Sequence, residues 1–534
     1  MHNSVLLGLW ALGAYTIYFI TSAVLNEQRH RRRERQLGCK RPALIKSWDG
    51  IGIENIQKLL KSDKECRMPQ YLKERTEEVS EREGKRLSTF YQNLLGSGAI
   101  FTVDPKNIQT VLATQFKDFG LGEVRNKNFY PLLGWGIFST DGKQWEHSRA
   151  LLRPQFAREQ VSDLELEEKH VQDMMRALET KADGWTDVVD IQKLFFRLTL
   201  DAATEFLFGE SVDSQLAALP GYVSNRAPME VSETEFAFCF DKAQAQIARA
   251  ARFGDGYWMV HNSEFKKHCE RCHIFIDHYV RLALSKKAKG AEKGQRYIFL
   301  DALVAETQDP IELRTHLISI LLAGRDTTAS LLGFVFMFFD KHPEVYSRLR
   351  KIILEEFGTY ENPREITFSK LKACNYLQWI LNETLRLYPV VPLDGRRALV
   401  DTTLPTGGGP DGTSPVYVRK GEQVDYSVYV MHRRKDLWGE DADDFRPERW
   451  DGRRSGWEYL PFNGGPRICI GQQFALTEAG YVITRLLQRF EVMEGVGNTW
   501  LPKEKGGHGY VRNWVTLTGC PADGVNARFK EAKA

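Results

Sequence analysis

Cysteine is scarce in this chain. Eight are scattered over 534 residues, too few and too irregular for a disulfide framework, which suggests a reducing compartment. Net charge is nearly absent: 73 basic against 70 acidic residues leave +3, and nothing in that balance asks for a nucleic acid. There is no phosphate loop, because TGGGPDG (406–412) is followed by no helix and no Lys-Ser/Thr pair, and so reads as a turn. Zinc-finger spacing is missing too. Cys269 and Cys272, flanked by His268 and His273, have no second ligand pair nearby, and NSEFKKHCERCHIFIDHYV reads as an amphipathic helix. The length allows several domains or one large catalytic domain.

The charge that exists is placed unevenly. Residues 1–41 hold seven basic and two acidic residues, a balance of +5, which leaves −2 for the rest. Before the basic run RHRRRER, Val5 to Leu25 carries no charge. At ~1.5 Å per residue that stretch spans about 30 Å, the hydrocarbon thickness of a bilayer. A cleaved signal peptide wants its positive charge before the apolar run, so an uncleaved anchor with a cytosolic chain beyond it is expected. The expected organisation is an anchor over 1–28, a basic, Pro-containing linker over 29–60 and a catalytic domain over 61–534. Lys58–Lys85 is highly charged and reads as surface-exposed or linker-like.

The most informative stretch is FNGGPRICIG, Phe462 to Gly471, just before a helical pattern at Gln472–Phe490. Cys469 at a helix N-terminus sees unpaired N–H groups, which favour a thiolate. Gly464 and Gly465 permit tight turns, and Gly471 lets something flat and bulky approach the backbone. Arg467 can reach an anionic group on that partner, and Phe462 can shield the sulfur from water. Together these residues suit a thiolate iron ligand under a porphyrin.

A second informative stretch, AGRDTT (Ala323–Thr328), stands in the middle of a long apolar run between Pro310 and Pro343. Gly324 removes bulk where a small ligand must fit. Asp326 and Thr327 are costly in a buried helix unless used, and a Thr back-bond opens a groove there. Elsewhere, Trp145 and Arg149 lie one helical turn apart, as do Glu383 and Arg386. Phe253, Tyr257, Trp258 and Met259 form an apolar knot that is either core or a loop dipping into a membrane.

Phe462, Gly465, Arg467, Cys469 and Gly471 fit F-x-x-G-x-R-x-C-x-G, the haem-binding signature of cytochrome P450 monooxygenases; the matched motifs span residues 135 to 471, and the chain resembles that family over essentially its whole length beyond the anchor. The resemblance implies a mainly α fold, a helical prism with a small β region, preceded by a single transmembrane helix. It implies haem b held non-covalently through Cys469. Trp145, Arg149 and Arg396, or its neighbour Arg397, would contact the propionates. Asp326 and Thr327 match the proton-delivery positions of A-G-x-D-T. Ala323 replaces the glutamate that is often ester-linked to haem in animal fatty-acid ω-hydroxylases. Arg449, in FRPERW, would join Glu383 and Arg386 in a fold-locking triad.

More narrowly, LPFNGGPRICIGQQFALTEAGYV, LLAGRDTTAS and TTLPTGGGPDG look like the membrane-bound fungal P450s that hydroxylate fatty acids and n-alkanes at the chain end. That resemblance implies O₂, a small hydrophobic substrate and an NADPH-cytochrome P450 reductase as partners, on the endoplasmic reticulum membrane. Phe138, Leu322, Ala323, Val390, Val391 and Leu393 would restrict the substrate. The alternatives are a tailoring oxidase of a fungal polyketide or terpenoid pathway and, more remotely, a haem sensor or electron carrier. Asp326 and Thr327 argue against the last, which needs no proton delivery.

Overall fold

The computed structural model describes residues 2–94, 96–156, 164–223, 229–288, 297–501 and 509–533. Its longer helices are α1 (His2–Gln36), α2 (Ile53–Lys64), α3 (Met68–Arg82), α4 (Glu123–Leu133), α5 (Gly142–Leu152), α6 (Leu164–Met175) and α7 (Ile191–Phe208). They continue with α8 (Glu233–Ala251), α9 (Ser263–Ala288), α10 (Phe299–Glu306), α11 (Pro310–Lys341), α12 (Pro343–Phe357), α13 (Asn375–Leu387) and α14 (Gln472–Arg489).

Among the described residues, the β structure is small and falls into four sheets. Strands β1 (Ala43–Leu44), β2 (Thr89–Leu94), β3 (Ser97–Thr102), β4 (Phe119–Gly120), β6 (Leu393–Ala398) and β9 (Gln423–Ser427) form one sheet in the order β1-β2-β3-β9-β6-β4. Strand β5 (Val189–Asp190) edges a second sheet with β10 (Phe490–Gly495) and β13 (Asn526–Glu531). Two hairpins complete the set, β7 (Thr402–Gly408) with β8 (Ser414–Val418) and β11 (Asn513–Val515) with β12 (Gly519–Pro521). The Gly-rich TGGGPDG forms the tip of the β7–β8 hairpin, where Gly409 and Gly412 take positive φ.

Helix α11 is the axis. Asp309 caps it by accepting from the Ile311 N–H at 2.9 Å, Pro310 fixes its first turn, and Pro343 follows its end. Being apolar all round, it is buried along most of its length. Leu313, Leu317, Ile318, Ile320, Leu321 and Leu322 belong to one apolar core, and Ala329, Leu331, Leu332 and Phe334–Phe339 to another. The segment Ala323–Thr328 falls between the two, where a cavity opens. Helix α7 runs against α11, with the Thr199 hydroxyl donating to the Arg325 carbonyl at 2.7 Å.

The expected linker over 29–60 is instead built into the fold. Helix α1 continues to Gln36, and its end is tied down: Glu27 accepts from Arg419 at 2.8 Å, and His30 Nδ1 lies 3.2 Å from the Tyr417 hydroxyl. Strand β1 pairs in parallel with β2, and α2 and α3 bury Ile56, Met68, Leu72 and Val79. The high charge of 58–85 belongs to the outer faces of these helices and hides a narrow apolar stripe. The ordered domain therefore begins well before residue 61. Helix α1 is long and apolar enough to cross a membrane over Leu7–Gln36. Helix α11 meets the same length and hydropathy test but is core.

Candidate functional site

The loop Phe462–Gly471 closes on itself before α14. The Cys469 N–H donates to the Phe462 carbonyl at 3.1 Å and the Ile468 N–H to the Gly465 carbonyl at 3.0 Å. Gly465 has φ +69°, and a Cβ there would lie 1.9 Å from the Leu112 carbonyl oxygen, so no other residue fits. Gly465 shapes the turn without facing the cavity.

Cys469, Phe462 and Gly471 open into a cavity of about 1010 Å³. Ala323, Gly324 and Thr327 of α11, Trp145 and Arg149 of α5, Arg396 of β6 and Arg467 also line it. Residues spread over 326 positions thus meet around one space. Phe138, Leu322, Val390, Val391 and Leu393 stand in its wall, together with Phe253 and Met259. Tyr257 and Trp258 do not line it, and Trp258 is exposed.

The cavity fits a flat, dianionic macrocycle over the sulfur. A Cβ on Gly471 would meet nothing closer than Phe156 at 3.8 Å and the Cys469 sulfur at 4.0 Å, and one on Gly324 only Ala203 at 3.6 Å. No protein atom requires glycine at either place, so the room they leave serves something else. Arg467 donates to Asp141 at 2.7 Å and to the Thr140 carbonyl at 3.0 Å, while its buried Nε has no partner. Burial brings its guanidinium down to about 10; Asp141 opposes the shift and the nearby Arg396 and Arg125 add to it. Anionic carboxylates placed among these cations would relieve that crowding. Arg149 donates to the Ile468 carbonyl at 3.0 Å and has no carboxylate partner among the described residues.

The two candidate arginines on β6 part company. Arg396 is buried, donates to Asp394 at 2.7 Å and stands in the field of Arg467. Arg397 pairs with Asp255 at 3.1 Å. Asp394 also accepts from Arg125 at 2.6 Å, and Arg125 and Asp394 were not evident from sequence. Neighbours on a strand point to opposite faces, which is why adjacent residues serve different partners.

A helix N-terminus by itself favours a thiolate at Cys469. Cys469 is exposed toward the cavity, yet desolvation among the surrounding residues raises the thiol above its ordinary value, while the Gly471 N–H and Arg149 pull it back. A coordinated metal deprotonates such a thiol outright.

On α11 the Thr327 hydroxyl donates back to the Ala323 carbonyl at 2.7 Å, the expected back-bond, and faces the cavity. Asp326 is turned away toward α8. Burial raises its carboxyl above the usual range, Arg325 at 3.4 Å and Gln244 lower it, and Asp241 raises it further. The structure therefore brings Thr327, not Asp326, to the cavity. A buried acid missed in the sequence lies close by. Glu478 of α14 is pushed up to about 8 by burial, opposed by the hydroxyl of cavity-lining Thr328. Its only signal was a carboxylate inside the apolar helix pattern of TEAGYV.

Glu383, Arg386 and Arg449 do meet, away from the cavity. Glu383 is 0% exposed and accepts from Arg386 at 2.9 Å through both oxygens, from Arg449 at 2.8 Å and from the Trp450 ring N–H at 3.0 Å. The His268–His273 segment lies on α9 with both cysteines buried, and no cluster of three metal-ligating side chains occurs among the described residues.

The cytochrome P450 family profile matches residues 67–512. Cytochrome P450 monooxygenase g430 of Fusarium sp is 50% identical over 528 residues, 97% of this chain and 90% of that protein. Cytochrome P450 monooxygenase alt2 of Alternaria solani is 43% identical over 504 residues, covering 92% and 93%. Cytochrome P450 52A13 of Debaryomyces hansenii is 48% identical over 444 residues, 82% of each chain.

Proposed function

The chain belongs to the cytochrome P450 family and is a haem-thiolate monooxygenase, and on that premise we propose that it hydroxylates a long-chain substrate, a fatty acid or n-alkane, at or next to its terminal methyl. The observation that carries this reading is the single cavity in which the Cys469 sulfur and the Thr327 hydroxyl share walls with Phe138, Leu322, Val390, Val391 and Leu393. The haem supplies reductive activation of O₂ and insertion of one oxygen atom into a C–H bond, with the thiolate favouring O–O cleavage.

The protein's part is binding, orientation and proton handling. Cys469 holds the iron, and Arg149, Arg396 and Arg467, with Trp145 against them, take the propionates. Ala323 offers no carboxylate for an ester link. Thr327 Oγ1 steadies a water at the cavity wall, and Asp326, behind it, passes protons inward from the Arg325–Gln244 side. A primary C–H bond is the strongest on an alkyl chain, so only a narrow apolar wall selects the end. One methylene is worth ~1–3 kcal/mol in such a pocket, and some penultimate product accompanies the terminal one. Helix α1 anchors the chain in the endoplasmic reticulum membrane with the catalytic domain in the cytosol, beside acyl chains and a membrane-bound NADPH-dependent flavoprotein reductase.

Titrating fatty acids, alkanes and fungal metabolite extracts while following the haem Soret band tests the substrate class. Shifts with long-chain acids or alkanes support the reading. Shifts only with a polyketide or terpenoid fraction would transfer the enzyme to a tailoring pathway.

A further inference from the structure

We propose that Arg75 receives a carboxylate at the far end of the substrate, so that long-chain acids rather than alkanes are what this cavity is built to bind. The inference rests on the long-chain reading above and deepens it.

Most arginines around the cavity are paired with carboxylates. Arg125 and Arg396 share Asp394, Arg252 lies 3.3 Å from Asp63, Arg397 3.1 Å from Asp255, Arg419 2.8 Å from Glu27 and Arg467 2.7 Å from Asp141. Among the described residues, two arginines of the wall have no carboxylate within 4.0 Å, Arg149 and Arg75. Arg149 is half-buried beside Cys469 and is accounted for by a propionate. Arg75 is not.

Arg75 is 6% exposed. It rises from α3 against β2 and β3, a different wall from the one that carries Cys469 and Thr327. Its Nη1 donates to the Gln92 side-chain oxygen at 2.8 Å, and its Nε has no partner. Three rings surround it: its guanidinium carbon lies 5.6, 5.6 and 5.4 Å from the ring centres of Tyr71, Phe90 and Phe101. Burial depresses its charge, a hydrogen bond with the Tyr71 phenol supports it, and the carboxylates of Asp425 and Glu78 act on it from beyond ion-pair distance. A buried cation without a carboxylate is expensive to keep. A guanidinium offers a carboxylate paired donors in a fixed fork, so an acid entering this cavity meets a preformed partner. Anchoring the polar end on the α3–sheet wall orients the hydrocarbon toward the sulfur, and the alkane has nothing to place there.

The test uses the full-length holoenzyme and three probes with the same chain, hexadecanoic acid, its methyl ester and hexadecane, with affinities from calorimetry and haem content measured in parallel. Wild type binds the acid about 10–100-fold more tightly than the ester or alkane, as a charged hydrogen bond implies. Arg75→Met brings that ratio near unity, leaves ester and alkane affinities and haem content unchanged, and does not lower the melting temperature of the ligand-free protein. Arg75→Lys keeps part of the preference. A ratio near unity in wild type, or one that survives in Arg75→Met, overturns the assignment while leaving long-chain oxidation intact. Loss of haem or a lower melting temperature in Arg75→Met also overturns it, since the arginine would then serve the cofactor or pair with Asp425 as a structural ion. No binding of any probe by wild type removes the long-chain reading and this inference with it.

Discussion

The guanidinium carbon of Arg467 lies 4.3 Å from the centre of the Trp145 ring, joining the cysteine loop to α5 across 322 residues of sequence. The same arginine holds Asp141, which in turn accepts from the Leu121 and Gly122 N–H groups at 2.8 and 3.0 Å. One contact thus fixes the loop, the start of α5 and the chain beside β4 together.

Removing the ring should loosen the cofactor rather than the fold. Trp145→Leu forfeits a desolvated cation–π contact of ~2 kcal/mol. Haem loss to an apo-globin acceptor should speed up severalfold with little change in far-UV circular dichroism, while Trp145→Phe should fall between. Unchanged haem loss in the leucine variant would remove Trp145 from the cofactor cradle.

Glu383→Gln should be severely destabilising, by about 3–5 kcal/mol, because Arg386 and Arg449 remain buried without their counter-charge. Burial raises the Glu383 carboxyl, yet the two arginines outweigh it, so the folded value lies below the ordinary one. Its contribution is therefore complete above the unfolded value of ~4.3 and fades as pH falls toward the folded one. Melting temperature measured from neutral to acid pH should drop below about pH 4.3 in wild type, and the variant should lack that component.

Thr327→Ala should keep haem and substrate binding while product formed per NADPH falls by about tenfold and hydrogen peroxide rises. Positioned proton donors contribute ~10²–10⁴-fold, and a second water substitutes in part. Equal coupling in wild type and variant would send proton delivery by another route, for which Glu478 beside Thr328 is the candidate the structure offers.

Deleting residues 2–25 should release much of the protein from membranes with the haem spectrum intact. The cut spares Glu27 and His30, which hold Arg419 and Tyr417. Deleting through Gln36 strips those contacts as well and should lower thermal stability besides. Membrane retention equal to wild type in the shorter deletion would move the anchor elsewhere, for instance to the exposed Trp258 and Met259.

Local chemistry was readable and spatial phase was not. The cysteine loop announces itself through glycines that have steric reasons, Gly465 most clearly. The triad was legible only through the resemblance to the family's E-x-x-R and P-E-R-F patterns, because Glu383 and Arg386 on one helix face read alone as an ordinary surface pair. Helix α11 is apolar all round, so nothing in its pattern says which way any residue points, and Asp326 and Thr327 turn out to face different neighbours. Asp141 and Asp394 were invisible because their partners lie hundreds of residues away. The linker expected over 29–60 failed for a different reason, since charge on the outer faces of α2 and α3 outweighed a short apolar stripe. Arg75 lay beyond it, in the charged stretch 58–85 that reads as surface-exposed or linker-like.

The decisive measurement is product identity. Purified protein, its reductase and NADPH, incubated under ¹⁸O₂ with saturated acids from dodecanoic to octadecanoic, should yield acids hydroxylated at the terminal carbon, with a penultimate minority, each carrying one labelled oxygen by mass spectrometry. Hydroxylation scattered along the chain, or no turnover of any acid or alkane beside turnover of a polyketide or terpenoid, would contradict the account.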